Sequence, residues 1–85
     1  MFTLQFCDAF TQTVIREESF KDVAHIARII KSAEENKNSS LPIYIVDHSL
    51  RPLEAKFISQ SVIHTGTDSV FKLFFKINSE HTQAK

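Results

Sequence analysis

The sequence predicts an α+β fold: a single domain in the order ββαβββ, with one amphipathic helix packed on a mainly antiparallel sheet. Three observations predict it. Apolar residues alternate at period two near both ends of the chain, in FTLQF and in VFKLFFKIN, as half-buried strands require. One central stretch switches to three- and four-residue steps, the period of a helix with one buried face. The 85 residues suffice for one hydrophobic core but not for two. Residues 1–78 are expected to form the domain, and the polar, aperiodic stretch 79–85 a disordered tail.

The first strand is placed at residues 2–7, where Phe2, Leu4 and Phe6 alternate with Thr3 and Gln5. CDAF turns the chain, and TQTVIREE, rich in stiff β-branched side chains, returns as the second strand of a hairpin. At Ser19 the period changes. Ser19 and Asp22 resemble a capping box, and Glu17, Glu18 and Asp22 place negative charge at the positive end of a helix dipole. A helix is therefore expected over residues 19–36, packing through Phe20, Val23, Ala27 and Ile30, widened by Ile26 and Ile29, with Lys21, Arg28, Ser32 and Glu35 facing solvent. ENKNSSLP ends it.

PIYIVDH carries apolar residues on both alternating sets and reads as an interior strand covered on both faces. SLRP reads as a turn. Residues 53–64 fit a strand or a helix, since Leu53, Phe57 and Ser61 would share a helical face. The run of Ile, Val and Ser favours the strand, and HTGTDS then makes the hairpin turn into the last strand. There Phe71, Leu73, Phe75 and Ile77 form one face and Val70, Lys72, Phe74 and Lys76 the other. Five strands at standard spacing span about 24 Å and one helix covers about 10 Å, so part of the sheet is expected to stay partly exposed or to meet another chain.

Ten basic and ten acidic side chains cancel, which removes the field of a dedicated nucleic-acid binder. The lone cysteine, Cys7, cannot form an intrachain disulfide and reads as a small apolar side chain of a cytoplasmic protein. MFTLQFCDAF lacks the pattern of a signal peptide, and no apolar run is long enough to span a membrane, so a soluble protein is expected. His25, His48, His64 and His81 fall in no metal-ligand spacing. Asp47, His48 and Arg51 at a strand end read as turn chemistry. A single glycine, Gly66, excludes glycine-rich phosphate loops. No nucleophile, base and orienting group can be assembled from spacing, so no enzyme activity, catalytic residue, metal or cofactor is expected.

The expectation left is a small non-enzymatic protein-interaction module, a regulator, inhibitor or accessory subunit, acting on an unidentified protein partner and self-associating as a homodimer. Its contact surface is placed on Tyr44, Val46, Val70, Lys72, Phe74 and Lys76. The alternative is a weak single-stranded nucleic-acid binder that stacks bases on Phe74 between Lys72 and Lys76. That alternative ranks below the first, because the glycines of the known RNA-binding strand signature are missing from VFKLFFKI.

Overall fold

Alternating apolar residues build five strands, β1 (Phe2–Asp8), β2 (Val14–Phe20), β3 (Ile43–Val46), β4 (Pro52–Thr65) and β5 (Asp68–Ile77), with one helix, α1 (Val23–Lys37), between β2 and β3. The computed structural model describes residues 1–47 and 49–78; His48, His81 and the expected tail lie outside the described residues. The sheet order is β2-β1-β5-β4-β3. Every neighbouring pair is antiparallel except β1 and β5, which run parallel down the middle of the sheet. The class is α+β, and residues 53–64 are strand throughout.

One face of the sheet holds the core. Leu4, Ile45, Ala55, Phe57, Leu73 and Phe75 meet Ile26 and Ala33 of α1, all buried. Phe75 lies edge-on to Phe57, with ring centres 5.6 Å apart, and stacks on Phe6 at 6.0 Å. Full burial of each such side chain contributes roughly 1.5–3 kcal/mol.

Three expectations are corrected. The helix begins at Val23, not Ser19: Asp22 is the N-cap, its carboxylate accepting the Ala24 N–H at 2.8 Å, while Ser19 and Phe20 stay in β2. Phe20 is held there because it sits opposite Phe2, where its ring packs against the core. The buried line of the helix runs through Ile26, Ile29, Ile30, Ala33 and Asn36, whereas Val23 is 42% exposed and Ala27 is exposed. A rotation of about 100° per residue separates Ile26 from Ala27, so only one can face the sheet, and the larger side chain does.

β3 is an edge strand of four residues, not an interior one. Its Ile43 and Ile45 face the core, and its second apolar set, Tyr44 and Val46, stays 57% and 39% exposed. The sheet is also not flat. Arg16 of β2 donates from Nη1 to the Val46 carbonyl of β3 at 3.1 Å, although these strands stand at opposite edges. The sheet therefore coils around its core face, which closes part of the area that a flat sheet would leave to a partner. Bulges at Phe6/Cys7 and at Phe57/Ser59 supply the extra local twist.

The chain connections are fastened by polar groups. The β3–β4 turn contains Leu50 in the left-handed region (φ 64°), a strained setting for a branched side chain. Asp47 offsets it, accepting from the Ser49 and Arg51 backbone amides at 2.9 and 3.0 Å and from the Arg51 guanidinium at 3.0 Å. At the far end of α1, buried Asn36 accepts the Phe57 N–H at 3.1 Å and donates to the Leu41 carbonyl at 2.7 Å. Lys56 donates from Nζ to the carbonyls of Asn36 and Ser39, a cation at the negative end of the helix dipole. In the β4–β5 turn Gly66 takes φ 60°, which glycine adopts without steric cost.

Candidate interaction surface

The backbone hydrogen bonds fix which way each strand's polar groups point. The Ser69 N–H donates to Met1 and the Phe75 carbonyl accepts from Ala9, so odd-numbered residues of β5 address β1. Even-numbered residues address β4, as the Asn78 N–H bonded to the Glu54 carbonyl confirms. Past the bulge, Ser59, Ser61 and Ile63 stand opposite Phe74, Lys72 and Val70 and turn their amides and carbonyls toward β5. Gln60, Val62 and His64 turn theirs outward.

β3 pairs with β4 only from Pro52 to Ala55, and the outward N–H of Phe57 is taken by Asn36. Beyond that point, among the described residues, no strand pairs with the outer side of β4. Every residue from Ile58 to Thr65 is exposed, including Ile58, Val62 and Ile63 at 39%, 45% and 48%. The stretch 57–67, FISQSVIHTGT, contains no Asp, Glu, Lys or Arg. Its side chains reach α1 and β5: Gln60 Nε2 donates to Glu34 Oε2 at 2.8 Å, and His64 Nδ1 lies 2.8 Å from Ser69 Oγ.

The other edges are blunted in the ways natural sheets use against unwanted pairing. β2 carries Arg16, Glu17 and Glu18 at its centre, and β3 is four residues long. The arm of β4 has neither protection. The missed signal was present in the sequence as a charge-free run in a chain that is 24% charged over its whole length. That the run lies on an edge follows only from the sheet order.

The open face of the sheet places Val70, Lys72, Phe74 and Lys76 in one line along β5. It does not bring Tyr44 and Val46 into that line. Tyr44 stands beside Glu54, itself bonded to Asn78, two strands across and about 12 Å from Lys76 by standard sheet spacings. Polar residues flank the β5 row: Thr3 and Gln5 on β1 stand beside Val70 and Lys72, and Ser61 and Ser59 on β4 beside Lys72 and Phe74. Phe74 is half-buried next to Cys7. The row is therefore an interrupted stripe, not a continuous apolar patch.

Cys7 is 1% exposed, and burial pushes its thiol up from the ordinary value, partly opposed by the charge of Lys72. Asp47 is held below the usual carboxylate range by the Arg51 backbone amide above all, with the Arg51 guanidinium and Ser49 N–H assisting and burial opposing. Both its oxygens are engaged in the turn. A cleft of about 260 Å³ lies between this turn and the β1–β2 hairpin, lined by Asp8, Thr13, Ile15, Asp47, Arg51 and Leu53 among others. His25 is exposed and stacks on Phe20, ring centres 6.0 Å apart. Among the described residues no group of three His, Cys, Asp or Glu side chains is placed to hold a metal ion. No helix among them is long and apolar enough to cross a membrane. Comparison with protein-family models, with curated proteins and with solved structures finds no match.

Proposed function

We propose that the protein is a small interaction module, with no catalytic role of its own, that docks a partner by strand addition along the outer edge of β4. The observation that carries this reading is the exposed, charge-free arm Ile58–Thr65, with the amides and carbonyls of Gln60, Val62 and His64 directed outward. In strand addition the main chain supplies affinity, and alternate side chains, here Val62 on one face and Ile63 on the other, supply selectivity. The row Val70, Lys72, Phe74 and Lys76 then lies one strand further in, across β4 from the docked strand. A regulator, inhibitor or accessory subunit of cytoplasmic location fits such a module.

The test is Val62→Pro. Because the Val62 N–H points away from β5, proline removes a donor from the free edge and none from the ladder, and edge positions tolerate proline. Tagged wild type, Val62→Pro and Phe74→Glu are used to capture co-purifying chains from the native host. A chain held by wild type and Phe74→Glu but lost from Val62→Pro is expected. Retention by Val62→Pro with loss from Phe74→Glu moves the contact to the β5 row and overturns the edge assignment.

A further inference from the structure

We infer that the strand docked on β4 is β4 of a second copy, giving an antiparallel two-fold dimer with a continuous ten-stranded sheet centred on Val62; the inference rests on the edge reading above. Three features select the copy as occupant. The free edge is bounded at one end by Asn36, which occupies Phe57, and at the other by the turn at Gly66, so the space matches a strand of the arm's own length. An antiparallel two-fold axis sets the stretch 58–65 against itself, and with no charged side chain in it no like charges meet. An isologous contact also closes on itself, which satisfies an unprotected edge without propagating a fibre.

The backbone phase narrows the register. An antiparallel pair bonds outward residues to outward residues, so the axis passes through an outward residue or midway between two of them. Centred on Val62, the pairing sets Val62 against Val62 and Gln60 against His64 in both directions, using all three outward residues for about six hydrogen bonds. Centred on Ser61, it would set His64 against the bulged Ile58 and forfeit part of the ladder. In the Val62 register Ile63 lies opposite Ser61 of the second copy on the open face. Both helices stand on the same side of the joined sheet.

Sedimentation equilibrium of the purified chain reads the dimer directly. A dimer is expected, with its dissociation constant raised at least tenfold by Val62→Pro and left within about twofold by Phe74→Glu. As no ion pair lies in the contact, the constant should change little between about 0.05 and 0.5 M salt, where screening shortens from over 10 Å to a few ångströms. Cross-linking tests the register in a Cys7→Ser background under oxidised glutathione. Val62→Cys should form an intermolecular disulfide, because hydrogen-bonded antiparallel pairs place Cα atoms about 5.5 Å apart. Ser61→Cys should not, since its own copy lies about 8 Å away diagonally. A wild-type monomer at every concentration overturns the second-copy assignment while leaving host capture to judge the edge. A dimer indifferent to Val62→Pro places the self-contact off the β4 edge and likewise overturns the second-copy assignment, with host capture again judging the edge, and cross-linking through position 61 instead of 62 overturns the register.

Discussion

Replacing Asn36 with alanine should be among the costliest single changes in the helix, although Asn36 is polar and near its end. The side chain joins three elements: it accepts from Phe57 of β4, donates to Leu41 in the loop before β3, and rests on the last turn of α1. Alanine leaves the buried Phe57 amide without a partner, at about 1–3 kcal/mol, and removes the bond to Leu41 for about 0.5–1 kcal/mol more, since exposed Leu41 can turn to water. The sum is about 3 kcal/mol, a large fraction of what a domain of this size possesses. Urea unfolding should report it as a midpoint lowered by about 2 M, for a slope of about 1.5 kcal/mol per molar. Hydrogen exchange at the Phe57 amide should accelerate with it. The comparison is Asn38→Ala, an exposed position where a change under about 0.5 kcal/mol is expected. Equal costs at 36 and 38, with Phe57 protection unchanged, would refute the three-way tie.

Two further outcomes follow from the core and the β3–β4 turn. Ile26→Ala should destabilise by about 2–5 kcal/mol in chemical unfolding and Val23→Ala by under about 1 kcal/mol, because only the first leaves a cavity; the reverse order would restore the register in which Val23 and Ala27 face the sheet. The carboxyl of Asp47 titrates lower folded than unfolded, so its contribution is present above the unfolded value of about 3.9 and is lost as pH falls through the folded one. Thermal melts should therefore decline more steeply below about pH 4 in wild type than in Asp47→Asn, and parallel profiles would show that the turn does not depend on the charge.

Local signals in the sequence were faithful where one face dominates. Phe2, Leu4 and Phe6, and likewise Phe71, Leu73, Phe75 and Ile77, lie on the core side that alternation assigns them, and Gly66 forms the turn it marks. The helix was legible as an element but not in its rotation: Val23, Ile26, Ala27, Ile29 and Ile30 make a stripe too wide for periodicity to choose its centre. Asn36 carried no mark of burial, because its partners Phe57 and Leu41 become neighbours only when β4 meets the helix. β3 was misplaced for a related reason. Apolar residues on both sets of a strand suggest two covered faces, yet Tyr44 and Val46 belong to an edge, and edges are properties of strand order, which no local pattern encodes. The same holds for the outer side of β4.

The parallel pair at the centre of the sheet has a consequence for how the chain reaches this structure. β1 and β5 lie side by side through residues whose numbers differ by 67 along the whole seam, from Phe2 beside Ser69 to Asp8 beside Phe75. The hairpins β1–β2 and β4–β5 can each form locally in microseconds, but joining them closes nearly the entire chain into a loop before that seam returns any energy. Topologies dominated by such distant contacts fold in milliseconds to seconds, and their transition states gather around the late union. In a growing polypeptide β1 has no central neighbour until β2, α1, β3 and β4 have been synthesised. Of the strands described, the first in the chain is completed by the last.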